Sequence, residues 1–419
     1  MKFVFACYGT RGDIEPFAAV GRELLRRGHD VRIAVPPNLV AVAEAAGLPA
    51  VAYGPDTESV IEARANLSAY FSRNFWRIPE LIRLWREPWE MVIGRWGEMS
   101  TTLRSLADGA DLLFTALGFE RPVANVAEYY DIPLAMLHHS PLAAKGELMA
   151  TLPAPLSRLA RRSYEWVYWR MTKKREDAQR RELGLPKASG PSSPRIAELG
   201  PLEIQAYDAV WFPELAAEWG SRRPFVGTLT MELTTDTDDE VASWIAAGTP
   251  PIYFGFGSIP VESPADTVAM ISAACAQLGE RALLCCAGSD FSHVPPVDNV
   301  KVVGLVNYAA TFPACRALVH HGGAGTTAAG LRAGIPTLVL WASGDQPLWG
   351  AAVKRRKVGT ARRFSAATQK SLVADLRRIL APNYLARARE VATQITSPAE
   401  SVAAAADLVE NFARLKRVG

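Results

Sequence analysis

The order of elements along this chain of 419 residues is repeated once, and the repetition restricts the folds open to it. In each half, a short apolar run is followed by a glycine-containing turn and then by an amphipathic stretch. Apolar runs that alternate with helices of about 10–15 residues predict a parallel sheet covered by helices on both faces. The sequence therefore predicts an α/β fold with two doubly wound domains facing across a cleft, where ligands would bind.

The apolar runs predict strands in both halves, and apolar spacing predicts the helices between them. The predicted strands are Lys2–Cys7, Val31–Val35, Leu112–Thr115, Leu134–His138, Pro251–Phe256, Ala282–Cys286, Val300–Val303, Ala317–Val319 and Thr337–Leu340. The clearest helices are predicted over Glu15–Arg27 and near Asp266–Leu278.

Prolines, glycines and an acidic Thr/Asp stretch interrupt this pattern over Pro213–Asp239 and indicate a domain boundary. We therefore assign residues 1–216 to an N-terminal domain and residues 217–397 to a C-terminal domain. Residues 398–419 have the pattern of an alanine-rich helix that begins at a Ser-Pro cap. We expect this last helix to pack back on the N-terminal domain.

The composition is that of an ordinary folded protein, with 49% hydrophobic residues, 21% charged residues and a formal net charge of +3. So small a charge does not indicate nucleic-acid binding. No apolar run reaches the roughly 18 residues of a membrane span, and the apolar start at Met1–Gly9 is too short for a signal peptide. Five cysteines without CxxC spacing indicate reduced thiols, so we expect a cytoplasmic location.

The strongest local motif is the stretch Val319–Thr327, with the sequence VHHGGAGTT. A predicted strand ends there, the side chains become small, and a helix begins. Free backbone N–H groups at a helix N-terminus favour a phosphate group, and a histidine can add another donor. The alternative is a tight turn whose glycines serve only packing. The stretch fits neither a Walker loop, since no lysine follows the glycines, nor the GxGxxG motif.

Residues Val303–Gln346 resemble, in register, the nucleotide-sugar signature of family 1 glycosyltransferases. In that family the residue at His321 binds phosphate, and the pair at Asp345–Gln346 holds hydroxyl groups of the donor sugar. The stretches GTRGDIEP near the start, FGS at Phe256–Ser258 and GLVN at Gly304–Asn307 resemble bacterial antibiotic and sterol glycosyltransferases. Among these, the mycobacterial enzymes that glycosylate glycopeptidolipids are similar.

The resemblance implies a GT-B fold, with two Rossmann-like domains, an acceptor site in the N-terminal one and a nucleotide-sugar site in the C-terminal one. It implies no cofactor, because the nucleoside diphosphate sugar is a substrate. The predicted donor-binding residues are Ser258, Val306, Asn307, His321, Gly322, Gly323, Ala324, Gly325, Thr326, Asp345 and Gln346.

Two positions depart from the pattern of plant members. Ala329 stands where they carry a glutamate that holds the ribose hydroxyls, and Val303 stands where they carry a tryptophan that stacks on the base. A missing ribose clamp favours a deoxyribose, and hence dTDP-sugars over UDP-sugars as the donor. Base recognition is then expected from the backbone near Val306 and Asn307.

The turn after the first strand places Asp13 at the mouth of the N-terminal domain. By resemblance to the sterol and glycopeptide branch, Asp13 is predicted to be the catalytic base that takes the acceptor's proton. The alternative is that Asp13 only caps the helix that starts near Pro16. The residues predicted to bind the acceptor are Thr10, His138, His139 and Trp76.

Aromatic and basic residues alternate in two stretches, Tyr70–Trp96 and Leu156–Arg181. They suit an acceptor pocket, an interfacial helix on anionic lipid, or ordinary helices with arginines that extend to solvent. Nucleic acid is disfavoured because no binding motif accompanies the charge. From these stretches we predict a small hydrophobic or amphipathic acceptor, lipid-like or peptidolipid, and peripheral contact with the inner face of the membrane.

Thr237–Asp239 superficially resembles the DxD metal motif of another glycosyltransferase fold, but it lies in the predicted linker. We interpret it as a solvated acidic loop and predict no metal requirement. The predicted reaction is an inverting transfer of a hexose or deoxyhexose to an acceptor hydroxyl. The alternatives are a nucleotide-sugar epimerase, or a non-catalytic homologue that binds another enzyme.

Overall fold

The computed structural model describes residues 1–74, 76–116, 118–141, 154–231, 235, 237–257, 261, 263–286 and 290–418. Within them, twelve strands form two six-stranded sheets, and every pair of neighbouring strands is parallel. Parallel sheets of this kind, with helices between the strands, confirm the predicted α/β doubly wound class.

The first sheet has the order β3-β2-β1-β4-β5-β6 and the second the order β12-β11-β10-β7-β8-β9. The strands are β1 Lys2–Ala6, β2 Asp30–Val35, β3 Ala50–Ala52, β4 Leu112–Ala116, β5 Leu134–His138, β6 Leu202–Gln205, β7 Ile252–Gly255, β8 Ala282–Cys285, β9 Val300–Val303, β10 Ala317–His320, β11 Thr337–Trp341 and β12 Gly359–Arg363.

Helices follow most of these strands along the chain. The α-helices are α1 Arg11–Arg26, α2 Val40–Ala45, α3 Thr57–Asn74, α4 Ile78–Gly94, α5 Trp96–Ala107, α6 Glu120–Tyr130, α7 Ala154–Glu182, α8 Ser192–Glu198, α9 Pro213–Trp219, α10 Asp238–Ala246, α11 Pro264–Leu278, α12 Tyr308–Thr311, α13 Ala324–Arg332, α14 Gln346–Arg355, α15 Gln369–Ile379, α16 Pro382–Ala392 and α17 Pro398–Val418.

The two sheets have the same topology. If β7–β12 are renumbered from one to six, the second order is the first order seen from the other side. In each sheet the order in which strands are added reverses at one point, between β1 and β4 in the first and between β7 and β10 in the second. Ligands of doubly wound folds bind beyond the carboxyl ends of the strands at such a switch point. The candidate sites are therefore the loops that follow β1 and β10.

Three strands, β3, β6 and β12, were not predicted. All three lie at sheet edges, where strands are only partly covered, and β12 has the sequence GTARR rather than an apolar run. The first helix was predicted from Glu15 but begins at Arg11, so Pro16 lies inside it. The early start follows from the hydrogen bonds that Thr10 and Asp13 make with each other at the helix N-terminus.

The described chain divides into two compact units, each built around one sheet. Unit 1 comprises residues 1–206, 219–229 and 399–419, and unit 2 comprises residues 207–218 and 230–398. The sequence predicted a first boundary at 216/217, whereas residues 207–218 belong to unit 2. The physical reason is aromatic packing, because the rings of Trp211 and Phe212 contact Trp349 of α14 edge-on at centroid distances of 5.7 and 5.6 Å.

The last helix, α17, belongs to unit 1. Arg27, at the end of α1, donates to the carboxylates of Asp407 and Glu410 at 2.6 and 3.0 Å, and so joins α17 to the first βα element. No helix of the described residues is long and apolar enough to cross a membrane.

Candidate active site

The loop after β10 has the geometry of an anion site. Helix α13 begins at Ala324, and its N-cap is Gly323, which has no side chain to accept hydrogen bonds. The first backbone bond into this turn runs from Thr327 N to Gly323 O, at 3.0 Å. The N–H groups of the three residues before Thr327 therefore have no partner within the helix, and they point toward the loop. Thr326 is buried in the same turn.

His321 lies beside this helix N-terminus in a space that two glycines leave open. A Cβ atom at Gly257 would stand 2.6 Å from His321 Cε1, and a Cβ atom at Gly323 would stand 2.6 Å from His321 Nε2. The Nδ1 atom of His321 is buried and has no hydrogen-bond partner among the residues that the structure describes. Burial lowers the pKa of His321 to about 4, against a smaller opposing effect of the Gly255 carbonyl. The ring is therefore uncharged at neutral pH and can act as an N–H donor.

The neighbouring His320 has a different role. It is fully buried, and its Nδ1 accepts the N–H of Gly322 at 3.0 Å. This bond stabilises the backbone at Gly322, where φ is +97° and a side chain would be strained. His320 therefore shapes the loop, whereas His321 lines it.

The predicted sugar-holding pair lies next to this loop. A Cβ atom at Gly322 would stand 3.1 Å from Gln346 Cβ, so the loop after β10 packs on the start of α14. Gln346 Oε1 accepts the N–H groups of Ala342 and Ser343 at 2.8 and 3.2 Å. Asp345 Oδ2 accepts from Trp349 Nε1 at 3.1 Å. Both side chains are thus held in place at the carboxyl end of β11.

The structure assigns a structural role to Asn307. Its side-chain oxygen accepts the N–H of Ala309 at 2.9 Å and caps α12, while its own N–H donates to Asp238 Oδ1 at 2.9 Å. The interpretation of residues 237–239 as a solvated loop is wrong for Asp238, because this carboxylate accepts bonds from Thr235 and Asn307. Val306 is buried beside Asn307. The predicted donor residue Ser258 lies outside the described residues.

In unit 1, the first turn of α1, which follows β1, presents Asp13. Its Oδ2 accepts from the N–H and the hydroxyl of Thr10 at 2.6 and 3.0 Å, which caps α1. A Cβ atom at Gly9 would collide with this carboxylate, and φ there is +150°, so glycine allows the close approach. The carboxylate therefore does cap the helix, through one oxygen. Its side chain is still 38% exposed.

The two predicted acceptor-site histidines are separated by the fold. His139 directs its Nε2 at Asp13 Oδ1, 3.7 Å away, and its side chain is 24% exposed. His138 ends β5 and is 2% exposed, with its Nε2 3.6 Å from Glu203 Oε2. Burial, with Arg223 and His139 nearby, lowers the pKa of His138 to about 3. Only His139 thus adjoins the predicted base.

A small aromatic cavity in unit 1 is lined in part by Arg121, a residue that the sequence did not single out. Its lining comprises Val92, Ile93, Trp96, Met99, Gly118, Phe119, Arg121, Pro122 and Tyr168. The guanidinium of the buried Arg121 lies 3.9 Å from the centroid of the Tyr168 ring. Phe119 contacts Tyr8, just before the Asp13 loop, at 4.8 Å between ring centroids. Trp76 is 63% exposed between α3 and α4.

No cluster of three or more His, Cys, Asp or Glu side chains that could hold a metal ion occurs among the described residues. Unit 1 presents a carboxylate beside a histidine after β1, and unit 2 presents a glycine-rich helix N-terminus beside a polar turn after β10. Two doubly wound units of the same topology are the architecture of GT-B glycosyltransferases.

Comparisons with known proteins agree with this assignment to the GT-B glycosyltransferases. Residues 3–93 match the Glycosyltransferase family 28 N-terminal domain, and residues 281–411 match the Erythromycin biosynthesis protein CIII-like C-terminal domain. An uncharacterized glycosyltransferase of Mycobacterium tuberculosis is 62% identical over the whole of both chains. A sterol 3-beta-glucosyltransferase of Arabidopsis thaliana is 30% identical over 86% of this chain and 57% of its own. The chain therefore belongs to the GT-B glycosyltransferases, in the branch that includes the sterol and antibiotic enzymes.

Solved structures with low sequence identity share the fold. The glycotransferase of kitacinnamycin superposes with a TM-score of 0.70 at 19% identity, covering 98% of each chain. Glycosyltransferase VinC, in complex with dTDP, superposes with a TM-score of 0.61 at 17% identity, covering 98% of this chain and all of its own.

Proposed function

We propose that this glycosyltransferase transfers a hexose or deoxyhexose from a dTDP- or UDP-sugar to a hydroxyl of a lipid-like or peptidolipid natural-product acceptor. The reaction is metal-independent and inverts the anomeric carbon. The observation that carries the proposal is the surroundings of His321. An uncharged imidazole lies beside the N–H groups of the first turn of α13, which have no partner within that helix. Such donors, fixed in place before the reaction, suit a leaving group that gains negative charge.

The diphosphate is held by this turn, and the sugar by the neighbouring pair Asp345–Gln346. The amide oxygen of Gln346 is already occupied by two backbone N–H groups, so its NH₂ group is the part that donates to a sugar hydroxyl. Asp345 accepts hydrogen bonds from sugar hydroxyls through its carboxylate. Because Gly322 packs directly on Gln346, the sugar and diphosphate subsites are continuous.

A dTDP-sugar is favoured over a UDP-sugar. Ala329, in α13, offers no carboxylate to a ribose hydroxyl, so this chain gains less from the 2′-hydroxyl that distinguishes UDP. The structure of VinC, which shares the fold, contains dTDP. Together these observations support a deoxyribose nucleotide, and competition between dTDP and UDP tests the preference.

Asp13 is the general base. One of its oxygens caps α1, and the other lies 3.7 Å from His139 Nε2, so the carboxylate is oriented before any acceptor binds. Asp13 takes the proton of the acceptor hydroxyl as that oxygen attacks the anomeric carbon from the side opposite the diphosphate. The proton neutralises Asp13, and the negative charge leaves with the diphosphate. His139, beside Asp13, helps to orient the carboxylate and contacts the acceptor together with Thr10. A base in this position contributes about 10²- to 10⁴-fold in rate.

The surface of unit 1 supports an apolar acceptor. The aromatic cavity itself, with a volume of about 10 Å³, holds no more than about one water molecule. On the surface of α7, Trp166 and Val167 are 54% and 42% exposed, and the Arg170 guanidinium lies 5.9 Å from the centroid of the Trp166 ring. Exposed aromatic and basic groups of this kind suit the interface of an anionic membrane. Peripheral contact with the inner membrane face would bring a lipid-like acceptor to the enzyme.

A nucleotide-sugar epimerase is disfavoured by the family assignment, and the two reactions differ in their need for an acceptor. A transferase releases nucleoside diphosphate in stoichiometric amounts only when an acceptor hydroxyl other than water is present. An epimerase converts the donor without one, and a non-catalytic homologue binds it without turnover.

The first test is thermal unfolding of the full chain with dTDP, UDP, GDP and their common sugars, without metal. A ligand at about 100 times its dissociation constant stabilises the protein by roughly 2.7 kcal/mol. We expect dTDP or UDP to raise Tm selectively, and His321→Ala to reduce that rise.

The matched control is His293→Ala, since His293 belongs to the same unit and its side chain is 94% exposed. This variant is expected to respond to nucleotides as the unaltered protein does. If no nucleotide raises Tm in the unaltered protein, the donor site is wrong. If His321→Ala responds as fully as His293→Ala, the diphosphate does not bind at the loop after β10.

A further inference from the structure

The segment that follows β9 is a short loop that ends in α12, a helix of only four residues. In the second sheet, β9 lies three strands from β10, through β7 and β8. Neighbouring strands are about 4.8 Å apart, so the carboxyl ends of β9 and β10 are separated by about 14 Å. An extended nucleoside diphosphate spans such a distance. If its diphosphate binds at His321 after β10, its base reaches the Leu305–Asn307 loop after β9.

This loop is fastened to the start of α10 by hydrogen bonds on either side of Val306. Thr237 Oγ1 donates to Leu305 O at 2.7 Å, and Asn307 N donates to Asp238 Oδ1 at 2.9 Å. A third contact joins the preceding strand to α10, since Lys301 Nζ donates to Glu240 Oε1 at 2.5 Å.

The two backbone bonds determine the direction of the Val306 peptide groups. No peptide bond of the described residues is cis, so the C=O and N–H of each peptide point opposite ways. Because Leu305 C=O points to Thr237, the N–H of Val306 points away from α10. Because Asn307 N–H points to Asp238, the C=O of Val306 also points away from α10. One donor and one acceptor are thus presented side by side, as on the free edge of a strand.

Asp238 is itself rigidly held. Its Oδ2 accepts the N–H of Thr235 at 2.8 Å, and its Oδ1 accepts the hydroxyl of Thr235 at 2.6 Å. Partial burial raises the pKa of the Asp238 carboxyl, but the bonds from Thr235 and Asn307 outweigh burial and hold it below its usual value. The group is therefore a carboxylate at neutral pH, and its place in the first turn of α10 favours the negative charge.

We propose that Asp238 is a positioning residue for donor recognition, which holds the Leu305–Asn307 loop so that the Val306 N–H and C=O pair with the edge of the nucleobase. Thr237 assists by fixing the other side of Val306. In a thymine or uracil base, the matching groups are a carbonyl oxygen and the adjacent ring N–H. The role rests on the proposed donor site, whose phosphate-binding part is in a different loop.

The neighbouring Asp239 provides a matched control. It lies in the same first turn of α10 but is exposed, and it takes no part in the bonds to the loop. Asp238→Ala and Asp239→Ala therefore remove the same charge from the same helix end. Only Asp238→Ala releases the N–H of Asn307.

The experiment is calorimetric titration of the full chain and each variant with dTDP, UDP and GDP. We expect Asp238→Ala to weaken binding of the preferred nucleotide about tenfold, since a hydrogen bond to a charged group is lost. We also expect it to reduce the ratio of affinities between the preferred and the least preferred base. Asp239→Ala is expected to change neither the affinity for the preferred nucleotide nor the ratio of affinities. Thr237→Val, which preserves side-chain shape, gives a smaller loss in the same direction.

Equal affinities and equal base ratios in Asp238→Ala and Asp239→Ala would overturn the role of Asp238. An equal loss for all three nucleotides would also overturn it, because that result indicates general damage to unit 2 rather than misplacement of the base loop. If Asp238→Ala does not fold, the test uses Thr237→Val instead. An unchanged ratio of affinities between the preferred and the least preferred nucleotide in that variant would overturn the proposal. If the unaltered protein binds no nucleotide, the proposed donor site itself is contradicted.

Discussion

Asp13 and His139 lie with Oδ1 and Nε2 3.7 Å apart, Asp13 in the first turn of α1, which follows β1, and His139 directly after β5 of the same sheet. The second oxygen of Asp13 is bound by Thr10. The two roles considered for this residue, helix cap and base, are therefore compatible, because each uses a different oxygen.

Asp13→Asn is expected to lower kcat by about 10²- to 10⁴-fold with little change in Tm or in nucleotide affinity. The asparagine oxygen can still accept from Thr10, so the cap is largely kept, but the amide cannot take a proton. Steady-state kinetics with a nucleotide sugar and acceptor measure the effect. Asp56→Asn is the control, because Asp56 also accepts a backbone N–H near a helix start, from Glu58 at 2.8 Å. Similar kcat values for the two variants would exclude Asp13 as the base.

Asp345→Asn is expected to raise KM for the nucleotide sugar about tenfold while the Kd of the free nucleoside diphosphate stays unchanged. The reason is that a carboxylate acceptor for the sugar hydroxyls is lost, whereas the diphosphate loop is intact. The exposed Asp266, in the first turn of α11 of the same unit, provides the control variant Asp266→Asn. An equal loss of affinity for sugar-free dTDP or UDP would contradict a sugar-holding role.

Gly323→Ala and Gly325→Ala should have opposite effects on stability. A Cβ atom at Gly323 would stand 2.6 Å from His321 Nε2, whereas a Cβ atom at Gly325 meets open space. Overpacking costs about 1–3 kcal/mol, while replacing a helical glycine with alanine gains roughly 0.5–1 kcal/mol. Thermal unfolding should therefore give a lower Tm for Gly323→Ala and an equal or higher Tm for Gly325→Ala. Equal Tm values would mean that the His321 ring does not occupy this space.

The buried His138 should make unit 1 sensitive to acid. Its folded pKa of about 3 lies below the ordinary value of 6.5, so unfolding takes up a proton between these values. The stabilisation is present above about pH 6.5 and is lost as pH falls toward 3. At pH 5 the loss is about 2 kcal/mol.

His138→Phe is therefore expected to narrow the difference in Tm between pH 7 and pH 5, measured by calorimetry. His293→Phe, at an exposed histidine, should leave the difference unchanged. If His138→Phe shows the same difference in Tm between pH 7 and pH 5 as the unaltered protein, His138 is not buried in its neutral form.

Removal of metal ions should leave activity unchanged within about twofold, because the helix N-terminus and His321 supply the charge stabilisation that a metal would otherwise give. The measurement is transferase activity after dialysis against EDTA, with and without added Mg²⁺. Activity that is lost on dialysis and restored by Mg²⁺ would refute metal independence.

The sequence alone determined the fold class and the loop at His321. Apolar runs, glycine turns and small residues before a helix are local patterns, and the strands and the helix N-terminus they predict depend mainly on residues close in sequence. The strands β3, β6 and β12 lack such runs, because β3 has only three residues and the other two, LEIQ and GTARR, mix apolar with polar or charged side chains.

Only the tertiary structure decided which polar residues work together. Asp238 and Asn307 are 69 positions apart, and nothing local distinguishes Asp238 from the exposed Asp239. His138 and His139 are adjacent in sequence, yet one is buried and the other adjoins Asp13, because successive side chains at a strand end point to opposite faces. Hydrogen bonds between distant segments form only after the sheet has brought its strands into register, so no spacing along the chain predicts them.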